Sequence, residues 1–299
     1  MTACCLCSMR AAQRLRAPAT LKAPVATRSR GYATSAEKIR SLEAALDPTK
    51  EPSQSAKVER TFKRFWKDVR LDPRPDGHIA VLLDKRTLKT TSNVPLLLPR
   101  RNLAAALLIA NEWDNQDKVL KPHSLPITSL ASRAIDGMST PEQRKEIGQG
   151  LLKYLDTDTI CFHEEEPPAL VDLQKRHWLP LITWVNATFG TDIAPFTTLM
   201  GTKQSARTVI VLAKRIESYD SFTLAAFERA VLASKSYCIA LGLIEGVLSV
   251  NEASDCAHVE VNSQVERWGQ VEDTHDVDHE DIRTRLGSAA MFLAAVPGP

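Results

Sequence analysis

Two clusters in this chain hold side chains of the kind that do chemistry. Along residues 154–184, YLDTDTICFHEEEPPALVDLQKRHWLPLITW, stand Asp156, Asp158, Cys161, His163 and the triplet Glu164, Glu165 and Glu166. Grouped carboxylates bind hard cations, and Asp156 with Asp158 is the pair on which a metal-dependent hydrolase would be built. The second cluster reads His275-Asp276-Val277-Asp278-His279-Glu280-Asp281. Two histidines four residues apart on one helix face are able to share a zinc ion. Each cluster also has a plainer reading. The first lacks the EF-hand spacing with its central glycine and the paired Cys or His of a zinc site. Acids just ahead of Pro167 and Pro168, where a helix should begin, suit the positive end of the helix dipole. In the second, Asp278 makes a good N-cap for a helix over residues 278–295, which would leave His275 outside that helix and spoil the spacing.

Phosphate-handling chemistry has no motif. Gly201-Thr202-Lys203 lacks the Gly-Lys-Ser/Thr order of a phosphate loop, and neither a Gly-rich dinucleotide fingerprint nor a Gly-x-Ser-x-Gly elbow occurs. No cofactor and no resident metal are expected, and the chain is not expected to be an enzyme.

A third feature concerns surface rather than catalysis. In a helix expected over residues 249–268, Val250, Ala253, Ala257, Val261, Gln264, Val265 and Trp268 fall on one face, with Glu260 beside that face and not opposite it. A carboxylate fixed at the edge of an apolar surface suits a partner with basic and apolar exposure. The commoner use of such a residue is simple solvation of an amphipathic helix.

The elements that must position these residues divide into a front and a back. Alternation through Ile79, Val81 and Leu83 gives a strand, Asp76-Gly77 a hairpin turn, and Asp84-Lys85 a break before Arg86. Pro95 and Pro99 bracket an edge strand or connector. Helices are expected over residues 103–113, ending at Trp113 as an aromatic plug between layers, and over 127–135. Thr140-Pro141-Glu142-Gln143 is a capping box that opens a helix to Tyr154. Residues 155–162 alternate as an extended segment would. A helix follows from Ala169 to a C-cap at Gly190. Residues 205–218 form the next, and Asp220 caps a long, nearly all-apolar one over 221–243 that should be central. The fold class is α+β: a small β-rich domain over residues 62–125, a curled sheet or partial barrel carrying one helix, then an α-helical bundle over 126–299.

Ahead of these lie residues 1–61. Up to Ala36 there is no acid, while Arg10, Arg14, Arg16, Lys22, Arg28 and Arg30 are basic and Ser, Thr and Ala fill the gaps. That composition predicts a mitochondrial transit peptide over residues 1–32 and a flexible arm over 33–61. Removing six positive charges from a chain of net +2 leaves about −4. A mildly acidic product argues against nucleic acid as partner, and no apolar run is long enough for membrane insertion. Cys4, Cys5 and Cys7 leave with the presequence, and Cys161, Cys238 and Cys256 read as free thiols of a reducing compartment.

Taken in order, RFWKDV, LDKRTLKT, Asn111-Glu112-Trp113-Asp114, Pro126-Ile127-Thr128, YLDTDTIC, EEPPALVDLQ, LGLIEG and Val265-Glu266-Arg267-Trp268-Gly269 resemble the mitochondrial ATP synthase F(1) complex assembly factor 2 family over about residues 62–293. The resemblance implies a β-domain joined to a helical domain. It also implies an ATP-independent chaperone of the mitochondrial matrix that holds the unassembled F(1) alpha subunit, itself expected to be a monomer. It points to Glu260, the acid ahead of the Trp-Gly pair, as a partner-binding residue, although Val261 and Asn262 stand where relatives often carry further acids. The alternatives are a metal-dependent hydrolase using Asp156/Asp158 or His275/His279, and a structural subunit of the complex.

Overall fold

Asp76-Gly77 closes the first hairpin. Gly77 adopts a φ of 82°, open to glycine without a steric penalty, and the Asp76 carboxylate accepts the His78 amide at 3.0 Å. The computed structural model describes residues 63–196 and 203–295. The expected transit peptide (1–32), the whole arm (33–61), Cys4, Cys5 and Cys7, and residues 197–202 of the connection after Ile193 lie outside the described residues.

The hairpin joins β1 (Val69–Pro73) to β2 (His78–Leu83), antiparallel with Val69 opposite Leu83 and Pro73 opposite Ile79. Asp84, at φ 55°, turns the chain into β3 (Arg86–Thr87), and its carboxylate accepts the amides of Lys67 and Asp68 at 2.9 and 3.0 Å. β4 (Leu97–Pro99) pairs with the first half of β2, placing His78 opposite Pro99. β2 is therefore the central strand of an open four-stranded sheet, with β1 on one side and β3 and β4 sharing the other. Ala80 and Val81 at its centre are wholly buried.

α1 (Leu103–Asp114) packs across the sheet. α2 (Pro126–Gly137) follows, then α3 (Pro141–Leu152), which opens on the expected capping box between Thr140 and Gln143. α4 (Pro168–Leu173) runs through a π-turn at Gln174–Trp178 into α5 (Leu179–Phe189), which stops at Gly190 in the left-handed conformation. α6 (Ala206–Glu217) is capped by Ser205, and α7 (Ser221–Ser234) by Asp220. The rest is α8 (Tyr237–Ile244), α9 (Val250–Ala257), α10 (Val259–Trp268) and α11 (His275–Leu293). α7 touches α11, α8 and α2, so the central position expected of this apolar segment is the one it holds. One apolar cluster runs from Trp66, Val81 and Leu98 through Phe227 and Tyr237 to Phe292. No helix among the described residues is long and apolar enough to cross a membrane.

Three expectations fail locally. Residues 155–162 are not extended: they form 3-10 turns at Lys153–Thr157 and Thr159–Cys161, because Asp158 caps the second turn by accepting the Ile160 amide at 3.2 Å. The helix expected over 221–243 breaks at Lys235, whose φ is 54°. There Ser234 Oγ donates to the Ala230 carbonyl at 2.8 Å, and Ser236 Oγ restarts the helix by accepting the Ile239 amide at 3.0 Å. Short hydroxyl side chains compete with the helix ladder in this way even within an apolar run. Finally, the helix expected over 249–268 is two helices that meet at His258.

Candidate functional site

Ser249 and Glu252 form a capping box that starts α9, and the chain bends at His258 before α10. Val259 and Ser263 are the buried residues of α10, and Val261 and Val265 are half-buried. Glu260 lies in the first turn of α10, exposed, on the wall of a cleft of about 360 Å³. Lys235, Ala257, His258, Val261, Asp278 and Asp281 share that cleft. Its position in the first helical turn also suits a carboxylate electrostatically. Trp268 departs from expectation: it should have completed the apolar face that holds the helix, yet it is 69% exposed. It is the last residue of α10, and the Arg267 guanidinium lies over its ring at 5.1 Å.

The histidine cluster is also arranged differently. α11 begins at His275, three residues before the expected Asp278 cap, so His275 and His279 do lie four apart on one helix. His275 Nδ1 accepts the Val271 amide at 3.1 Å. The His279 ring packs 5.1 Å from that of His258 on the neighbouring helix end. His258 is buried, with Nδ1 at 2.8 Å from the Ser254 carbonyl oxygen, so the proton sits on Nδ1. Its Nε2 lies 3.5 Å from an Asp278 oxygen. Among the described residues no three His, Cys, Asp or Glu side chains are placed to hold a metal ion together.

The DTDTIC carboxylates are engaged by backbone. Asp156 accepts the Gln204 amide at 3.1 Å. Asp158 is fully buried, and its second oxygen accepts the Cys238 amide at 3.0 Å, satisfying a buried N–H in the first turn of α8 that has no partner within the helix. Burial pushes its carboxyl above the ordinary range, against the lowering influence of those amide bonds. The pair therefore pins a loop to a helix start, and the carboxylates do not converge on a shared open site. Cys161, Cys238 and Cys256 are buried free thiols, and burial pushes the Cys256 thiol up to about 12. Their thiolate forms are suppressed, which makes them inert packing groups.

Trp113 serves as the expected plug. Its indole N–H donates to Thr128 Oγ1 at 3.1 Å, and its ring lies 5.0 Å from that of Trp66, whose own N–H donates to the Trp113 carbonyl at 3.2 Å. The role of its neighbour Glu112, and the π-turn that buries Trp178 with its N–H on the Cys256 carbonyl at 2.8 Å, had no signal in periodicity.

The structure defines a mixed α+β protein in which an open antiparallel sheet leads into a helical body, with Glu260 displayed over a cleft between helices. Residues 63–186 match the family model described as ATP12 chaperone protein. The mitochondrial protein atp12 of Schizosaccharomyces pombe is 31% identical over 273 residues, covering 89% of this chain and 94% of that protein. The mitochondrial protein ATP12 of Saccharomyces cerevisiae is 30% identical over 280 residues, covering 80% and 86% respectively. The chain belongs to the ATP12 chaperone family. The crystal structure of Atp12 from Paracoccus denitrificans superposes with a TM-score of 0.70 at 28% identity, covering 79% of this chain and 98% of that one. An aspartate-to-lysine mutant of that Paracoccus protein matches at the same TM-score of 0.70.

Proposed function

We propose that this chain is an ATP-independent chaperone of ATP synthase assembly, which binds the unassembled F(1) alpha subunit in the mitochondrial matrix and acts as a monomer. The observation that carries this reading is the likeness to mitochondrial Atp12 proteins along nearly the whole chain, in keeping with the motif resemblance to the F(1) assembly factors. A subunit awaiting its partner exposes an obligate-type, largely apolar interface. A protein that covers that interface needs no chemical energy: it acts by mass action and yields when the correct subunit competes. We assign Glu260 to the contact surface, as an exposed carboxylate lining the α10 cleft.

The test is dilution of denatured alpha subunit into buffer with and without equimolar chain, scoring alpha subunit left in the supernatant. Protection without nucleotide is expected, and a pull-down from matrix extract should recover unassembled alpha subunit. Absence of protection overturns the reading. Stoichiometric recovery with finished ATP synthase would make the chain a structural subunit, and turnover with a bound metal would make it a hydrolase.

A further inference from the structure

Among the described residues, large apolar side chains that stand exposed are mostly solitary along the chain. Phe65, Leu107, Ile210, Val247 and others lie far apart along the chain, as single exposed hydrophobics normally do. The elbow joining α10 to α11 is different. Within ten residues it displays Trp268, Val271 and Val277, at 69%, 58% and 64% exposure. It is also held in shape. Gly269 turns the chain at φ 87°, the Val271 amide donates to His275 at 3.1 Å, and Gln270 bonds to Asp276.

The charge around these residues is one-sided. From Glu266 to Asp278 the exposed acids are Glu266, Glu272, Asp273, Asp276 and Asp278, while Arg267 is the one Lys or Arg; Glu280 and Asp281 beyond them pair with Arg283 and Arg285. An acidic collar around an exposed tryptophan complements an apolar pocket rimmed by lysine and arginine. Tryptophan is among the residues that most often dominate binding energy, and charges at the rim act mainly on association rate and orientation.

We infer that the α10–α11 elbow is a docking knob, with Trp268 as the anchor that inserts into a basic-rimmed apolar pocket of the client. This rests on the chaperone reading above and takes that client to be the alpha subunit. It places the main contact at the far end of the helix that begins beside Glu260. The collar steers the client and the indole holds it.

The test uses the full chain with its tryptophans labelled as 5-fluorotryptophan, the Trp268 resonance being assigned by its loss in Trp268→Phe. On adding the unlabelled alpha subunit, the Trp268 fluorine signal should move or broaden and lose its shift between light and heavy water. Trp268→Ala should weaken protection of the alpha subunit by about tenfold or more with an unchanged melting curve, and Trp268→Phe by less. Changing Glu272, Asp273 and Asp276 to their amides should slow association and flatten its salt dependence. Should Trp268→Ala lower the melting point, the fluorine signal of the wild-type chain still decides. An unmoved Trp268 resonance in the complex, or Trp268→Ala within twofold of wild type, overturns the knob while leaving the chaperone reading intact. A wild-type chain that gives the alpha subunit no protection overturns both.

Discussion

Glu112 and Thr128 meet through a single carboxylate oxygen, which accepts the Thr128 amide at 2.9 Å and its hydroxyl at 2.6 Å. The other oxygen accepts the Ile127 amide at 2.7 Å. α2 has no side-chain cap of its own, because Leu125 stands at the N-cap. The last turn of α1 thus caps the first turn of α2 across 15 residues. Glu112→Ala leaves two amide donors without an acceptor in a half-buried site and should cost about 1–3 kcal/mol. Glu112→Gln keeps one acceptor oxygen and should cost less. Urea midpoints followed by circular dichroism check the order, and equal losses would show that the cap needs both carboxylate oxygens and that neither side-chain shape nor one acceptor suffices.

Trp113 adjoins that cap and joins α1, Trp66 and α2. Trp113→Arg removes the ring, its bond to Thr128 and the edge of the Trp66 contact, and should cost about 3–5 kcal/mol. The variant should therefore melt early and accumulate poorly in cells, while its folded fraction still binds client. A variant with the wild-type melting temperature and no client binding would make Trp113 a contact residue instead.

Asp192 provides a pH test. Its carboxylate accepts the hydroxyls of Ser205 and Thr208, which start α6, and those hydrogen bonds hold its pKa below the ordinary carboxylate range. A carboxyl depressed in the fold contributes stability that is present above the unfolded value and is lost as pH falls through the folded one. Asp192→Asn should thus be less stable than wild type at pH 7, and the gap should close in acid, once pH has fallen below the depressed folded value. Denaturant midpoints at both pH values measure it. A gap that stays constant across this range would assign the loss to geometry rather than charge.

Much of this was legible in the sequence, for reasons that differ by element. The Thr140-Pro141-Glu142-Gln143 box, the Asp220 cap, the Gly190 stop and the Asp76-Gly77 turn are local chemistry, and each is found where its residues place it. The break at Lys235 was hidden because α7 is apolar nearly all round and α8 wholly so, which leaves the hydrophobic pattern little phase to lose. The break at His258 was hidden because the apolar spacing continues across it. Asp158 looked like a ligand since burial is invisible in a one-dimensional pattern: only the fold shows that its partner is the Cys238 amide, 80 residues away. Trp268 misled in the opposite sense. Its spacing fits the buried stripe of α10, but α10 ends there and the ring is exposed.

Glu260→Gln and Glu260→Lys should leave the fold intact and weaken protection of the alpha subunit. α10 is anchored by buried Val259 and Ser263 with Val261 and Val265 half-buried, and Glu260 is exposed, so either change should alter stability by within about 0.5 kcal/mol. Asp278 and Asp281 share the cleft, and Asp281 is already paired with Arg285 at 2.8 Å. Glutamine would remove one charge from this set and leave its shape. Lysine would add a cation beside Lys235 and, on the proposed contact, repel a client with basic exposure, and so should be the worse of the two. Each variant would be expressed in cells lacking the wild type, with soluble alpha subunit, assembled ATP synthase and the variant's own melting curve measured together. Normal assembly with Glu260→Lys would remove this residue from the contact surface. A collapsed melting curve would instead show that Glu260 supports the bend at His258, and its effect on assembly would then be one of folding.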